Sequence, residues 1–90
     1  MDELTPQELE AIETRYKRAS PAPWRSMIEG RDHSSGSSFI MTGSADARGN
    51  DIELSGATDA DQEFIAHARQ DIPRLVAEIK RLRSLLGSSS

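Results

Sequence analysis

The segment from Thr58 to Leu86 constrains the fold more than any other part of the chain. Seven apolar residues recur there at alternating spacings of three and four, namely Ile65, Ala68, Ile72, Leu75, Ile79, Leu82 and Leu86. This is the seam of a heptad repeat held over three heptads, and it is typical of a helix that packs along one edge against another helix. The segment therefore predicts a long C-terminal helix that serves as the main element of self-assembly.

Pro73 lies inside this pattern and conflicts with a straight helix. Proline lacks a backbone N–H and clashes with the carbonyl four residues earlier, that of Arg69. In a helix interior this destabilises the helix by about 3 kcal/mol. We therefore expect the helix to be kinked or broken near Gln70 to Ile72, with Asp71 as the cap of a restarted helix. Residues 58–69 would then pack Phe64 and Ile65 onto a sheet, and residues 71–86 would assemble. The expected oligomer interface consists of Ile72, Leu75, Val76, Ile79, Leu82 and Leu86.

The rest of the chain reads as one helix followed by three short strands. Thr5-Pro6-Gln7-Glu8 is a capping box with proline at the first helical position, and it predicts a helix over residues 6–18. Strands are expected at 24–29, 38–42 and 51–55, separated by polar, glycine-containing connections. The pattern predicts an α+β fold with an antiparallel three-stranded meander. Apolar residues fall on both faces of the first two strands, so we expect both faces to be covered.

Composition favours a cytoplasmic protein that is stabilised by self-assembly. The 90 residues allow one domain, expected over 1–86, with a flexible tail at 87–90. Four aromatic residues and no cysteine give a thin core without disulfides or thiolate zinc sites, which leaves oligomerisation as the common remedy. The net charge of −4 argues against non-specific DNA binding, and no apolar run is long enough to span a membrane. The acidic start lacks the basic region of a signal peptide.

The connection from Gly30 to Ser38 is the best candidate for a ligand site. It combines flexible backbone N–H groups with hydroxyls, a guanidinium and an imidazole, which are groups that hold a phosphate or a ribose. Arg25 and Arg48 could join these groups, and Trp24 could stack on a base, although a core position is the commoner role for a tryptophan. The candidate ligand-binding residues are Trp24, Arg25, Arg31, Asp32, His33, Ser34, Ser35, Ser37, Ser38 and Arg48.

Catalytic and metal sites are weaker interpretations of the same residues. Asp32, His33 and the neighbouring serines include the residue types of a hydrolytic triad, but adjacent residues on a loop seldom meet in that geometry. A polar turn, in which serine and aspartate side chains satisfy backbone groups, is the better interpretation of them. His33 and His67 do not have the spacing of a metal-binding motif, so we expect no metal and no cofactor.

Both ends of the chain resemble a family of small phage proteins. Leu4-Thr5-Pro6…Leu9…Ile12 leads to Ala19-Ser20-Pro21-Ala22-Pro23-Trp24, and the later segment reads Asp61…Phe64-Ile65-Ala66-His67-Ala68-Arg69…Pro73…Leu75…Glu78-Ile79…Leu82. These motifs, which cover roughly half of the chain, resemble the Ead-like accessory proteins of phages and prophages. Ser20 and Ala22 replace the more usual Thr and Gly. The resemblance implies a small protein that acts in the cytoplasm of a bacterial host, and it carries over no catalytic residues.

Two non-enzymatic functions therefore stay open. One is sequestration of a phosphate-bearing small molecule, such as a nucleotide-derived immune signal of the host, which would make the chain an anti-defence protein. The other is an adaptor or inhibitor that docks its helix or an open sheet face onto a host protein. An enzyme that acts on a nucleotide through His33 is a third alternative.

Overall fold

The computed structural model describes residues 3–34 and 36–87. The element order is α1 (Pro6–Arg18), β1 (Trp24–Met27), β2 (Phe39–Ser44), β3 (Ala47–Arg48) and α2 (Asp59–Leu85). The α+β fold with an antiparallel meander, in the order β1-β2-β3, is confirmed. None of the helices in the described part of the chain has the length and apolar character needed to cross a membrane.

Helix α1 begins where the sequence predicts it. The Thr5 hydroxyl accepts a hydrogen bond from the Glu8 backbone N–H at 3.0 Å, and the Glu8 carboxylate accepts one from the Thr5 N–H at 2.8 Å. The two bonds satisfy backbone donors that have no partner within a helix, so they fix the position of the first turn.

The third strand differs from the prediction. It was expected at 51–55, but β2 runs on to Ser44, and the chain turns back at once into β3. Of the expected strand, only Ile52 pairs, through an isolated antiparallel bridge in which its N–H and carbonyl bond Ile40 at 2.8 and 2.7 Å. A single pair of this kind satisfies two backbone groups without extending into a ladder.

Helix α2 is continuous through Pro73, so of the expected alternatives, a kink or a break near Gln70 to Ile72, the break is wrong. Proline removes one hydrogen bond, while the helical pattern continues on both sides of it. Asp71 consequently lies inside the helix and does not cap a restarted one. The helix begins as expected, because the Thr58 hydroxyl accepts from the Asp61 N–H at 3.0 Å, and the Asp61 carboxylate accepts from the Thr58 N–H at 3.1 Å.

The chain divides into two compact units, and the division along α2 falls between Gln70 and Asp71. The first unit holds α1 together with the part of α2 from Asp71 onward. It buries Leu9 and Val76. Lys80 bonds the Glu13 carboxylate at 2.6 Å, and Arg83 donates to the Leu4 carbonyl at 2.6 Å.

The second unit, Ser20–Gln70, holds the sheet and the first part of α2. One face of the sheet carries the buried residues Ser26, Ile40 and Thr42. Gln62 and Ala66 are the buried residues of this part of α2, and the Gln62 amide donates to the Ser26 hydroxyl at 2.9 Å. This half of α2 therefore covers that face.

Phe64 does not pack onto the sheet, so that prediction is wrong: its side chain is 74% exposed. The reason is the rotation of a helix by about 100° per residue. Gln62 and Ala66 are one turn apart on the buried side of α2, and Phe64 lies midway between them in sequence. Its side chain therefore points to the opposite side of the helix.

Candidate anion-binding site

Arg31, the arginine of the expected ligand loop from Gly30 to Ser38, is already paired with two acids. Arg31 donates to the Asp32 carboxylate at 2.7 and 2.9 Å, to the Glu63 carboxylate at 3.2 Å and to the Ser26 carbonyl at 3.2 Å. The guanidinium lowers the pKa of both carboxyl groups, and their bonds raise the pKa of Arg31. Asp32 also accepts from the Ile28 N–H at 2.8 Å. Arg31 thus fastens the loop to α2 and is largely neutralised by two acids.

The other loop residues contribute mostly to the turn itself. The His33 ring packs against Phe39, with 5.4 Å between ring centroids. Ser38 accepts a hydrogen bond from the Glu29 N–H at 3.0 Å. Ser34 and Ser37 are exposed, and Ser35 lies outside the described residues.

Trp24 belongs to the packing of the second unit. Its indole N–H donates to the Ser20 carbonyl at 3.1 Å. Its backbone N–H donates to the Gln70 side-chain carbonyl at 2.8 Å, and the Gln70 amide donates back to the Trp24 carbonyl at 3.1 Å. The tryptophan is half-buried, so its ring serves packing more readily than stacking on a ligand.

Arg25 and Arg48 come together on the sheet face opposite α2. Arg25 on β1 pairs with Met41 on β2, and Arg48 on β3 pairs with Gly43 on β2. Residues 41 and 43 lie on the same face of β2, because side chains alternate along a strand. The two arginines therefore border one depression of about 450 Å³, lined by Pro23, Arg25, Met41, Gly43, Ser44, Ala45 and Arg48. We call it the arginine depression.

Gly43 forms the floor of the arginine depression, and no other residue type fits there. Its φ is +81°, in the left-handed region that favours glycine, and a Cβ would collide with the Ala47 carbonyl oxygen. Its N–H donates to the carbonyls of Pro21 and Pro23, both at 2.9 Å. The missing side chain lets the Ala47 carbonyl approach the Gly43 backbone, which sets β3 and Arg48 beside β2.

The charge of the arginine depression is positive on both sides. Arg48 bonds the Asp51 carboxylate at 2.7 Å, and it keeps further N–H donors because a guanidinium carries five. Arg25 is exposed, and across residues 3–34 and 36–87 its side chain makes no hydrogen bond or ion pair, although its charge helps to lower the pKa of Asp32. β1 and β3 lie two strand spacings apart, about 10 Å, so the long side chains of both arginines can reach one phosphate group.

The part of α2 expected to form an oligomer interface is mostly exposed. Leu75 is 60% exposed and Leu82 is 46% exposed; Ile72 and Leu86 are exposed as well, and Ile79 is half-buried. Val76 is the exception, since it is 4% exposed within its own unit. It therefore cannot contact another chain without a rearrangement.

The structure adds lining residues that sequence reasoning missed. Pro23, Met41, Gly43, Ser44 and Ala45 complete the arginine depression. Only the strand register could have revealed them, because none carries a charge or a recognisable motif. Within the described ranges, no three histidine, aspartate or glutamate side chains come together in a group that could hold a metal ion.

Comparison of this chain with protein-family models, with curated proteins and with solved structures finds no match.

Proposed function

We propose that this chain is a non-enzymatic binding protein that sequesters a phosphate-bearing small molecule in the arginine depression. One observation carries the proposal: Arg25 and Arg48 line a single depression on the sheet face opposite α2. Guanidinium groups bind phosphate through paired, charge-assisted hydrogen bonds. Two guanidinium groups beside one depression suit an anion, and this site does not depend on the loop at Arg31.

The remaining lining suits a nucleotide-like ligand. Met41 and Pro23 offer apolar surface beside the arginines, and Ser44 offers a hydroxyl. A volume of about 450 Å³ falls within the range of small-molecule sites, which is about 300–1,000 Å³. The resemblance to phage accessory proteins favours a nucleotide-derived signal of a bacterial host as the ligand, bound in the host cytoplasm. Binding would remove that signal and so act against host defence.

The test is calorimetric titration of the full chain with cyclic dinucleotides, ADP-ribose and inorganic phosphate. We expect at least one nucleotide ligand to bind, and Arg25→Gln and Arg48→Gln each to weaken binding by at least about 10-fold, because a hydrogen bond to a charged group contributes about 1.5–3 kcal/mol. Binding should also weaken with salt.

Arg31→Gln is the control that separates the depression from the loop. Arg31 is consumed by Asp32 and Glu63, so its loss should leave the affinity nearly unchanged at a temperature where the variant is folded. Absence of binding by every ligand would contradict the proposal. A loss of affinity in Arg31→Gln but not in Arg25→Gln would move the site back to the loop.

A second function, docking onto a host protein, is favoured by Phe64. This 74% exposed ring borders a shallow depression of about 450 Å³ together with Leu54, Ala57 and Ile65. Exposed aromatic residues beside an apolar depression are the usual anchors of protein interfaces. Capture of one stoichiometric partner from bacterial lysate, lost in Phe64→Ser and retained in Arg25→Gln, would support it over ligand binding.

A further inference from the structure

The exposed face of α2 beyond Asp71 has an apolar row that α1 leaves open. On the α1 side, Val76 is buried, Lys80 bonds Glu13 of α1, and Arg83 bonds the Leu4 carbonyl just before α1. Leu75 and Leu82 stay 60% and 46% exposed. Two leucines one heptad apart on an open helix face are the arrangement that packs against another helix.

The charges beside this row are self-complementary. Asp71 and Arg81 stand five residues before and after position 76, and Arg74 and Glu78 stand two residues before and after it. All four are exposed. In an antiparallel pair of identical helices that cross at this position, Asp71 faces the partner's Arg81, and Arg74 faces the partner's Glu78. Each acid then meets a base, and the relation repeats by the two-fold symmetry of a dimer.

The apolar row has nearly the same centre of symmetry. Ile72 and Leu82 stand five residues on either side of position 77, and Leu75 and Ile79 stand two residues on either side of it. The same antiparallel crossing therefore places Ile72 against the partner's Leu82 and Leu75 against the partner's Ile79. The two centres differ by one residue, so the two sets of pairs differ by two residues in register, about 3 Å along the helix axis. Charged side chains on helices interact across Cβ separations of about 5–6 Å, so they can span this offset.

A parallel pair would lose this agreement. At about 100° per residue the four charged side chains lie on one flank of the apolar row. In a parallel pair the same flanks of the two helices lie on opposite sides of the interface, so none of these acids meets one of these bases on the partner. The same side chains also line a shallow depression of about 700 Å³ on this face, which a second helix can fill.

We propose that the chain forms an antiparallel homodimer through α2, with the two-fold axis near positions 76 and 77. Glu78, which bonds Arg81 of its own chain at 2.6 Å, then lies between that arginine and the partner's Arg74. The apolar row supplies most of the affinity, and the charge pairs select the antiparallel orientation. The dimer does not depend on the arginine depression.

The first experiment measures the mass of the full chain by light scattering at about 100 μM, a concentration at which a micromolar dimer is fully formed. We expect about twice the monomer mass of 9.9 kDa. Leu75→Glu removes two apolar contacts per dimer and should weaken association by at least about 30-fold. The matched control is Phe64→Glu, which alters an exposed apolar residue of the same helix that precedes the paired segment and should leave the mass unchanged. A monomer mass for the parent chain would overturn the proposal, as would equal effects of the two variants.

Disulfide trapping tests the orientation and does not depend on Leu75→Glu being folded. The chain has no cysteine, so Ile72→Cys and Leu82→Cys each introduce a single thiol. In the antiparallel dimer the two positions meet, so a mixture of the variants should cross-link on oxidation. Each variant alone should not, because its two thiols lie about 15 Å apart along the helix axis. Cross-linking of each variant with itself, without a mixed product, would overturn the antiparallel arrangement.

Discussion

Gln62 is the polar side chain whose loss should damage the second unit most. It is 3% exposed, and its amide nitrogen faces three acceptors: the Ser26 hydroxyl at 2.9 Å, the Phe39 carbonyl at 3.0 Å and, at a longer 3.4 Å, the Met27 carbonyl. Two backbone carbonyls around one nitrogen fix the orientation of the amide, because its oxygen would be repelled there. Gln62 therefore joins α2 to both β1 and β2.

Gln62→Leu should lower the free energy of unfolding by about 3 kcal/mol. The variant keeps much of the side-chain volume but removes two good hydrogen bonds, each contributing about 0.5–1.5 kcal/mol. The Ser26 hydroxyl keeps its bond to the Glu63 carboxylate, while the Phe39 carbonyl loses this donor, which adds about 1–3 kcal/mol. For a domain of this size a loss of about 3 kcal/mol lowers Tm by about 12–24 °C. The control is His67→Leu, which alters an exposed residue of the same helix and breaks no buried hydrogen bond. Its free energy of unfolding should stay within about 0.5 kcal/mol of the parent's.

Urea unfolding followed by circular dichroism measures both variants, and Gln62→Glu separates hydrogen bonding from shape. The introduced carboxylate would face carbonyl oxygens, so its pKa in the folded state should rise above the unfolded value of about 4.3. Its destabilising effect relative to the parent is then full above the raised pKa and disappears as the pH falls toward 4. A loss under about 1 kcal/mol in Gln62→Leu, or a pH-independent difference in Gln62→Glu, would refute the reasoning.

Three further predictions concern other parts of the chain. Thr5→Ala removes the helix cap and should lower the unfolding free energy by about 1 kcal/mol in the same urea assay. Gly43→Ala should cost at least about 2 kcal/mol, more than Gly56→Ala, because both have positive φ but only the first Cβ would collide with the backbone. Arg31 lowers the pKa of Asp32 in the folded state, so the Arg31–Asp32 pair stabilises the folded chain fully above a pH of about 4. This stabilisation is lost as the pH falls through the folded-state pKa of Asp32. The stability of Arg31→Gln should therefore fall less between pH 5 and 2 than that of the parent; an equal fall in acid titrations would contradict this role.

The elements with local signals were the ones predictable from sequence. Thr5 and Glu8 fix the start of α1 through atoms three residues apart, and Thr58 does the same for α2. Phe64 could not be placed from its apolar character alone. Its orientation follows from the burial of Gln62, a polar residue that occupies the position on α2 where the sequence pattern favours an apolar one.

The position of the third strand was predicted wrongly, and the grouping of Arg25 with Arg48 apart from Arg31 depends on that strand. Adjacency along the chain suggested Arg31 as the ligand-binding cation, but adjacency also let Asp32 neutralise it. Arg25 and Arg48 meet only because β2 turns back at Ser44 and sets Arg48 opposite Gly43. With the third strand at residues 51–55, Arg48 would lie in a connection with no defined neighbour. The position of the β2–β3 turn therefore decides both the order of the sheet and the proposed anion site. A change that shifts this turn should abolish phosphate-ligand binding even when Arg25 and Arg48 are retained.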